Sequence, residues 1–392
     1  MKLIDRRYRN IRFVDFIIMF CLTLQSYYFY EIRLAPLPIL AVLLLVVCSD
    51  KLTNLEFKYL ICLIFFCSAS IIVGIIHSIV SGISFYINSV IGVLIGVIAH
   101  ILFRKRFLNR KTELVNTIEI VLWIHVGAFF IQIFGYYLFG ANIDFIEPIT
   151  REYSRKDATG ILTNLVIRAT GLSIEPATYC MNICSLVFIR LIVSKKSNLV
   201  DYVSIATCII SFSVTGIVLS SILTGLKVLF YSKNRIDLFK ALLIFSIVFL
   251  IIGFFFFDSL QIYYNDRLLN LSEDQSGQER WINGTILFLR ESLTTKMLGL
   301  GIGYYPYFIL YEITSVGSGI QSMFLSWGVL LNSIFILLNA HFLMKSGVKW
   351  YNVVVYVSIL FGALIITVIP YWILLSGLWL SGDKNEYIHS NK

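Results

Sequence analysis

Windows of about 20 residues with almost no charge recur along this chain; the stretch from Tyr59 to Ile75, YLICLIFFCSASIIVGI, is one of them. In lipid every backbone N–H and C=O must find its partner within the segment, so such windows fold as membrane-spanning helices. The whole composition follows the same pattern. Apolar residues make up 58% of the 392 residues and charged residues 14%. A soluble domain carries roughly a quarter charged residues. The expected fold class is therefore all-α: a single polytopic membrane domain over residues 1–392, with no soluble domain of any size.

About twelve spans are expected, at about 13–30, 35–48, 58–77, 84–103, 114–139, 176–194, 200–213, 217–231, 238–257, 320–344, 350–369 and 371–381. The apolar run after the basic cluster Lys2–Arg12 lacks a small-residue cleavage site and reads as an uncleaved first span. The short SFSVTG junction, Ser211–Gly216, predicts a tight hairpin or a broken helix. Two long polar segments remain, at about 140–175 and 258–318, and parity places both on the outside with both termini in the cytoplasm. On that map 23 of the 32 Lys and Arg fall on the cytoplasmic side and 9 outside. That asymmetry is the positive-inside bias, and it accounts for the net charge of +9 without nucleic acid.

The seven cysteines all lie in apolar segments and read as small buried hydrophobes. The five histidines are scattered, with none in either outside loop, so no metal site and no cofactor are expected. No repeat and no inverted duplication of the two halves is visible, which weighs against the transporter folds built on internal symmetry.

Chemistry is expected in the two outside loops. In RATGLSIEPATYC, Arg168–Cys180, proline at the first helical position puts Glu175 at the N-cap. A plain cap explains Glu175 but not Arg168, because an arginine at the mouth of a membrane cavity needs an anionic partner. Two readings stand: an ion pair with Glu175, or an anionic ligand that leaves Glu175 able to accept a proton. In the second loop, Arg267 and Arg280 are candidates, and Arg280 opens an apolar stretch with helical spacing that ends at Arg290. The planar guanidinium fork suits phosphate oxygens. The GLGIGYYP segment, Gly299–Pro306, follows no strand, so a dinucleotide loop is rejected. Its glycines suit close backbone approach where the loop re-enters. Tyr304 and Tyr305 are placed to stack on sugar rings or to anchor at the interface.

These segments, taken in order, resemble the O-antigen polymerase family, the Wzy-type polymerases and their ligase relatives. RATGLSIEPATY resembles that family's motif of an arginine and a glycine ahead of a glutamate or asparagine and a proline. SFSVTGIVLS, Ser211–Ser220, resembles the serine-containing short span that follows, and SGQERW with LGLGIGYYP resembles the later arginine, helical stretch and glycine-rich turn. The resemblance implies a metal-independent glycosyltransferase of the bacterial inner membrane, acting on lipopolysaccharide O-antigen or a related surface polysaccharide. It would join undecaprenyl-diphosphate-linked oligosaccharide donor and acceptor on the outer face. It also implies a flippase and a chain-length regulator as partners in the pathway. Arg168, Glu175 and Arg280 would then be catalytic, the arginines facing developing diphosphate charge and Glu175 serving as general base. Arg267, Arg290, Tyr304 and Tyr305 would bind substrate.

Two rivals are an O-antigen ligase and a transporter or flippase for lipid-linked oligosaccharide. The ligase is disfavoured by the absence of a histidine in the second loop. A transporter would place ionisable residues near mid-span, whereas here only Asp15, Glu119 and Lys227 come close.

Overall fold

The computed structural model describes residues 12–24, 27, 36–49, 52, 54–78, 83–154, 167–231, 284–301, 319–360 and 369–382. Among these the ordered elements are all helical, with no strand. The helices are α1 (Phe13–Thr23), α2 (Pro36–Cys48), α3 (Asn54–Ser78), α4 (Ile83–Phe107), α5 (Lys111–Phe139), α6 (Glu147–Thr150) and α7 (Pro176–Ser194). They continue with α8 (Leu199–Ile210), α9 (Val214–Leu226), α10 (Gly284–Arg290), α11 (Leu293–Leu298), α12 (Gly319–Ser346), α13 (Trp350–Leu360) and α14 (Ile369–Gly382). A π-helical turn, Lys227–Tyr231, extends α9.

Among the described residues, four segments are long and apolar enough to cross a membrane: Glu56–Ile75, Lys111–Phe139, Pro176–Ser194 and Met323–Ser346. Surface chemistry agrees with composition. On α3 the buried face carries Tyr59, Leu63, Phe66 and Cys67, yet the exposed face is just as apolar, with Phe57, Ile61, Phe65 and Ile72. A helix apolar on both faces at a protein surface fits contact with lipid or with another apolar surface. Of the twelve expected spans, the one at 238–257 lies outside the described residues. Helices α1, α2, α8 and α13 are 11 to 13 residues long. At 1.5 Å per residue they reach about 17–20 Å, short of a hydrocarbon core of about 30 Å.

The chain divides into two compact units, one formed by residues 1–41 and 110–271 and the other by 42–109 and 272–392. In the first, α7 is the central helix, packed by α5, α8 and α9, with α1 against α5. Residues Tyr179–Ile192 are buried without interruption. Proline at N1 starts this helix and Lys195 in the left-handed conformation ends it. Helix α8 starts with a capping box between Asn198 and Asp201.

The expected break at SFSVTG is a hairpin. Phe212 takes a left-handed φ of 51° between α8 and α9, Ser213 caps α9 through Gly216 N, and Ser220 Oγ donates back to Ile205 O across the pair. The hairpin tip is buried, with Ser211 Oγ 3.0 Å from Cys180 Sγ on α7. Its open end closes on charge. Arg190 of α7 meets Asp201 of α8 at 2.6 Å and Glu119 of α5 at 3.2 Å, while Lys227 lies over the Tyr202 ring at 2.7 Å.

In the second unit α14 packs along α4, and α3 packs on α4 and α12. An aromatic core gathers Tyr59, His100, Phe342 and Trp379. Arg104 joins it over Trp379 while pairing with Glu56 at 3.0 Å. Helix α12 is broken at Gly328, whose φ is 58°. Into that break comes the extended chain after α11: Leu300 N and Gly301 N donate to Leu325 O and Ser326 O at 2.7 and 3.0 Å. Gly301 also lies against the backbone of Gly74, and Gly299 against that of Ser326, too closely for a Cβ, so these two glycines do serve close backbone approach.

Candidate functional site

The described part of the first long loop is built from two strips of chain that return to the end of α5. Gly140 ends α5 in the left-handed conformation, and the backbone N–H groups of Gly140 and Ala141 cap the carbonyls of Tyr136 and Gly135. The chain then turns at Asp144. Its Oδ1 accepts from Ile146 N and Glu147 N at 2.8 and 3.2 Å, and its Oδ2 accepts from Ser154 N and Ser154 Oγ at 2.8 and 2.6 Å. Partial burial raises the Asp144 carboxyl, but the hydroxyl and N–H donors outweigh it and hold the group down to about 2. Ile146 then buries its side chain against Leu24 and Tyr27.

The second strip, Ile167–Glu175, carries the motif. It folds against the buried polar side chain of Gln132 on α5. Gln132 Oε1 accepts from Thr170 N and Gly171 N at 2.9 and 2.8 Å, and Gln132 Nε2 donates to Gly171 O at 3.2 Å and to Ile143 O at 3.4 Å. Gly171 has φ 55°, and a Cβ there would lie 2.9 Å from the Tyr179 ring. That ring stacks on Phe129 at 5.0 Å, and its hydroxyl bonds Thr207 at 2.9 Å. The glycine of RATG is thus required by both conformation and space. Beneath lies a second polar contact, where Thr23 Oγ1 is 2.8 Å from His125 Nε2 and Asn182 Nδ2 donates to Thr23 O at 3.1 Å. The Thr170 and Ser173 hydroxyls are buried without a hydrogen-bond partner among the described residues.

Arg168 and Glu175 are both half-buried, at opposite ends of this strip. Glu175 is the N-cap residue of α7 with extended dihedrals, as its place before Pro176 predicts. Its side chain makes no cap hydrogen bond; instead Oε1 accepts from Thr178 Oγ1 at 3.3 Å. The simple capping role therefore does not describe this carboxylate. Arg290 is exposed at the C-terminal end of α10, in the second unit. Arg267, Arg280, Tyr304 and Tyr305 lie outside the described residues.

Two residues central to the first unit were not singled out by the sequence. Gln132 is one polar side chain in a long apolar run, and the only signal for it was that isolation. Arg190 sits inside the span 176–194, and its partners Glu119 and Asp201 are 71 and 11 residues away. The charges within the helices therefore extend beyond the three that the sequence marked, Asp15, Glu119 and Lys227. They gather near the ends of the helices and not at their middles: Arg190 in the last turn and a half of α7, Asp201 in the first turn of α8.

No protein-family model, no curated protein and no solved structure matches this chain.

Proposed function

We propose that this protein is a membrane-embedded glycosyltransferase that polymerises undecaprenyl-diphosphate-linked oligosaccharide repeat units into O-antigen or a related surface polysaccharide. The observation that carries the reading is the strip Ile167–Glu175. An arginine and a glutamate, neither of which a lipid-facing helix needs, are held at the start of the most buried apolar helix of the unit by a purpose-built set of hydrogen bonds. Its motif is also the first of the three ordered segments that resemble the polymerase family.

The chemistry asks for few groups. The acceptor hydroxyl attacks the anomeric carbon of the donor glycan, forming a C–O bond as the bond to the lipid diphosphate breaks. The hydroxyl proton passes to the Glu175 carboxylate. Negative charge grows on the departing diphosphate; Arg168 is suited to meet it, and the family resemblance implies the same role for Arg280 and Arg267. Arg290, Tyr304 and Tyr305 bind the substrates. The site faces the outer side of a bacterial inner membrane, with both chain termini in the cytoplasm. Supporting that orientation, the ion pairs Glu56 with Arg104 and Lys105, and Asp15 with Arg110, all lie at helix ends that the charge bias assigns to the cytoplasm. A flippase would deliver the lipid-linked units, and a partner protein would set chain length.

The test is a gel of surface polysaccharide from a strain lacking the gene, with and without complementation. A single repeat unit on the lipid, with no ladder, supports a polymerase. Long polymer left on its carrier would instead mean a ligase, and no outward-facing glycan would mean a transporter.

A further inference from the structure

Gln132 lies in a helix long and apolar enough to span the membrane, and it is wholly buried. A primary amide moved from water into an apolar interior costs several kcal/mol unless each of its groups is bonded (about 4–8 kcal/mol against a solvent that cannot hydrogen-bond). Here the capacity is fully used: two N–H groups donate to the oxygen, and the amide nitrogen donates to two carbonyls. None of the four partners belongs to a helix. Three are backbone atoms of Thr170 and Gly171, and the fourth is the carbonyl of Ile143. One side chain thus fastens both ends of the loop that runs from the end of α5 to the start of α7.

The fit around it is tight on both strips. At Gly135, three residues along α5, a Cβ would lie 2.5 Å from the Ile143 Cδ1 and the Ile143 side chain would have to move. At Gly171 it would lie 2.9 Å from the Tyr179 ring and 3.4 Å from the backbone carbonyl of His125. An apolar residue at position 132 would leave the Thr170 and Gly171 N–H groups buried with no acceptor, so the strip could not lie where it does.

We infer that Gln132 is the positioning residue of the loop. It acts as a latch inside the membrane helix that sets the register of Arg168 and Glu175 through the backbone between them. Gln132 itself touches no reacting atom, and its effect passes through Thr170 and Gly171. The latch stands on the hydrogen bonds alone. Its value for catalysis rests on the polymerase reading above.

The experiment uses the full chain in lipid nanodiscs and compares Gln132→Leu with Gln132→Glu. Buried among apolar side chains, glutamate is carried as the neutral acid, whose carbonyl oxygen accepts from Thr170 and Gly171 and whose O–H donates to one of the two carbonyls, whereas leucine keeps none of these bonds. Amide hydrogen exchange across residues 167–175 is read by mass spectrometry, and the segment 190–201 is the internal control. Leucine is expected to speed exchange at Thr170 and Gly171 by about ten- to a hundredfold, glutamate by much less, and neither variant to change the control. Unchanged exchange in the leucine variant, or an equal rise in the control segment, overturns the latch. The same two alleles are then scored for the glycan ladder in cells. A ladder lost with leucine and partly kept with glutamate supports the positioning role. A full ladder despite accelerated exchange overturns that role. If the wild-type gene supports no ladder at all, the polymerase reading fails, while the exchange data still decide the latch.

Discussion

Arg190 on α7 and Glu119 on α5 are an ion pair at 3.2 Å with both side chains almost wholly buried, and Asp201 completes the set at 2.6 Å from the same guanidinium. Asn198 joins it by donating from Nδ2 to Glu119 Oε1 and from its backbone N to Asp201 Oδ2, both at 2.7 Å. Such a set adds little net stability compared with apolar residues of equal size, but removing one member strands the others. Arg190→Met takes away the guanidinium that the two buried carboxylates share. The expected loss is about 3–5 kcal/mol, read as a fall in thermal midpoint and in the amount of folded protein in detergent. A midpoint within a degree of wild type would show that the carboxylates are reached by water.

The strip that carries Arg168 depends on the absence of a side chain at Gly171. Gly171→Ala places a methyl group 2.9 Å from the Tyr179 ring at a φ of 55°. The left-handed conformation costs a non-glycine residue about 1–2 kcal/mol, and the methyl group also pushes Tyr179 off its stack on Phe129. Activity is expected to fall further than stability, since the strip that carries Arg168 is displaced while α7 keeps its start at Pro176. Equal losses in the two measurements would mean that the strip serves the fold alone.

The all-helical class and the long apolar helices were legible from hydropathy, because in lipid a helix satisfies its own backbone. The number of spans was not, because helices such as α1, α2, α8 and α13 are too short to cross. Pro176 announced the start of α7, and SFSVTG announced the break between α8 and α9. Less was legible where partners are distant in sequence. Nothing near Gln132 indicates that Thr170 and Gly171 complete it, and nothing near Arg190 points to Glu119. Glu175 shows a different limit. Its position was predictable from proline, but whether its carboxylate turns back onto the helix depends on the strip before it. There the carboxylate takes the Thr178 hydroxyl instead.

Asp144 makes a pH prediction. Its carboxyl is held at about 2 against an ordinary value of 3.8. A group depressed in the folded state contributes stability that is fully present above its unfolded value and is lost as pH falls through the folded one. The turn from Gly140 to Ser154 should therefore hold from neutral pH down to about 4 and loosen between about 4 and 2. Asp144→Asn should weaken the turn at neutral pH and flatten that acid dependence. Proteolysis of the turn, followed across this range, checks both; a wild-type turn indifferent to pH would contradict the assignment.

Helices α10 and α11 expose Ile286, Leu289, Leu293 and Met297 at spacings of three and four residues, with Arg290 and Lys296 beside them. The chain just after α11 is fixed in the break of α12, close to one end of the candidate span Met323–Ser346. An apolar stripe flanked by cations at that depth belongs in the lipid interface. A photo-reactive residue at position 293 should crosslink to phospholipid in native membranes. Labelling of water-soluble probes instead of lipid would place this stripe in solvent.

Glu175 offers the sharpest test of the chemistry because its side chain is not needed to start α7. Pro176 fixes the first helical residue, and no backbone N–H of the helix bonds the carboxylate. Glu175→Gln keeps the shape and the oxygen that accepts from Thr178, so the protein is expected still to fold and reach the membrane. On the proposed mechanism, what it removes is the proton acceptor. Loss of general-base catalysis typically costs a factor of about 10²–10⁴, enough to erase a polysaccharide ladder while single repeat units persist. Arg168→Lys is the companion variant. Lysine keeps the charge but not the two-pronged contact with a diphosphate, so a strong loss there argues for bidentate binding and retained activity for a point charge. If Glu175→Gln alone keeps a full ladder, the proton goes elsewhere, and Glu175 serves only to shape the mouth of α7.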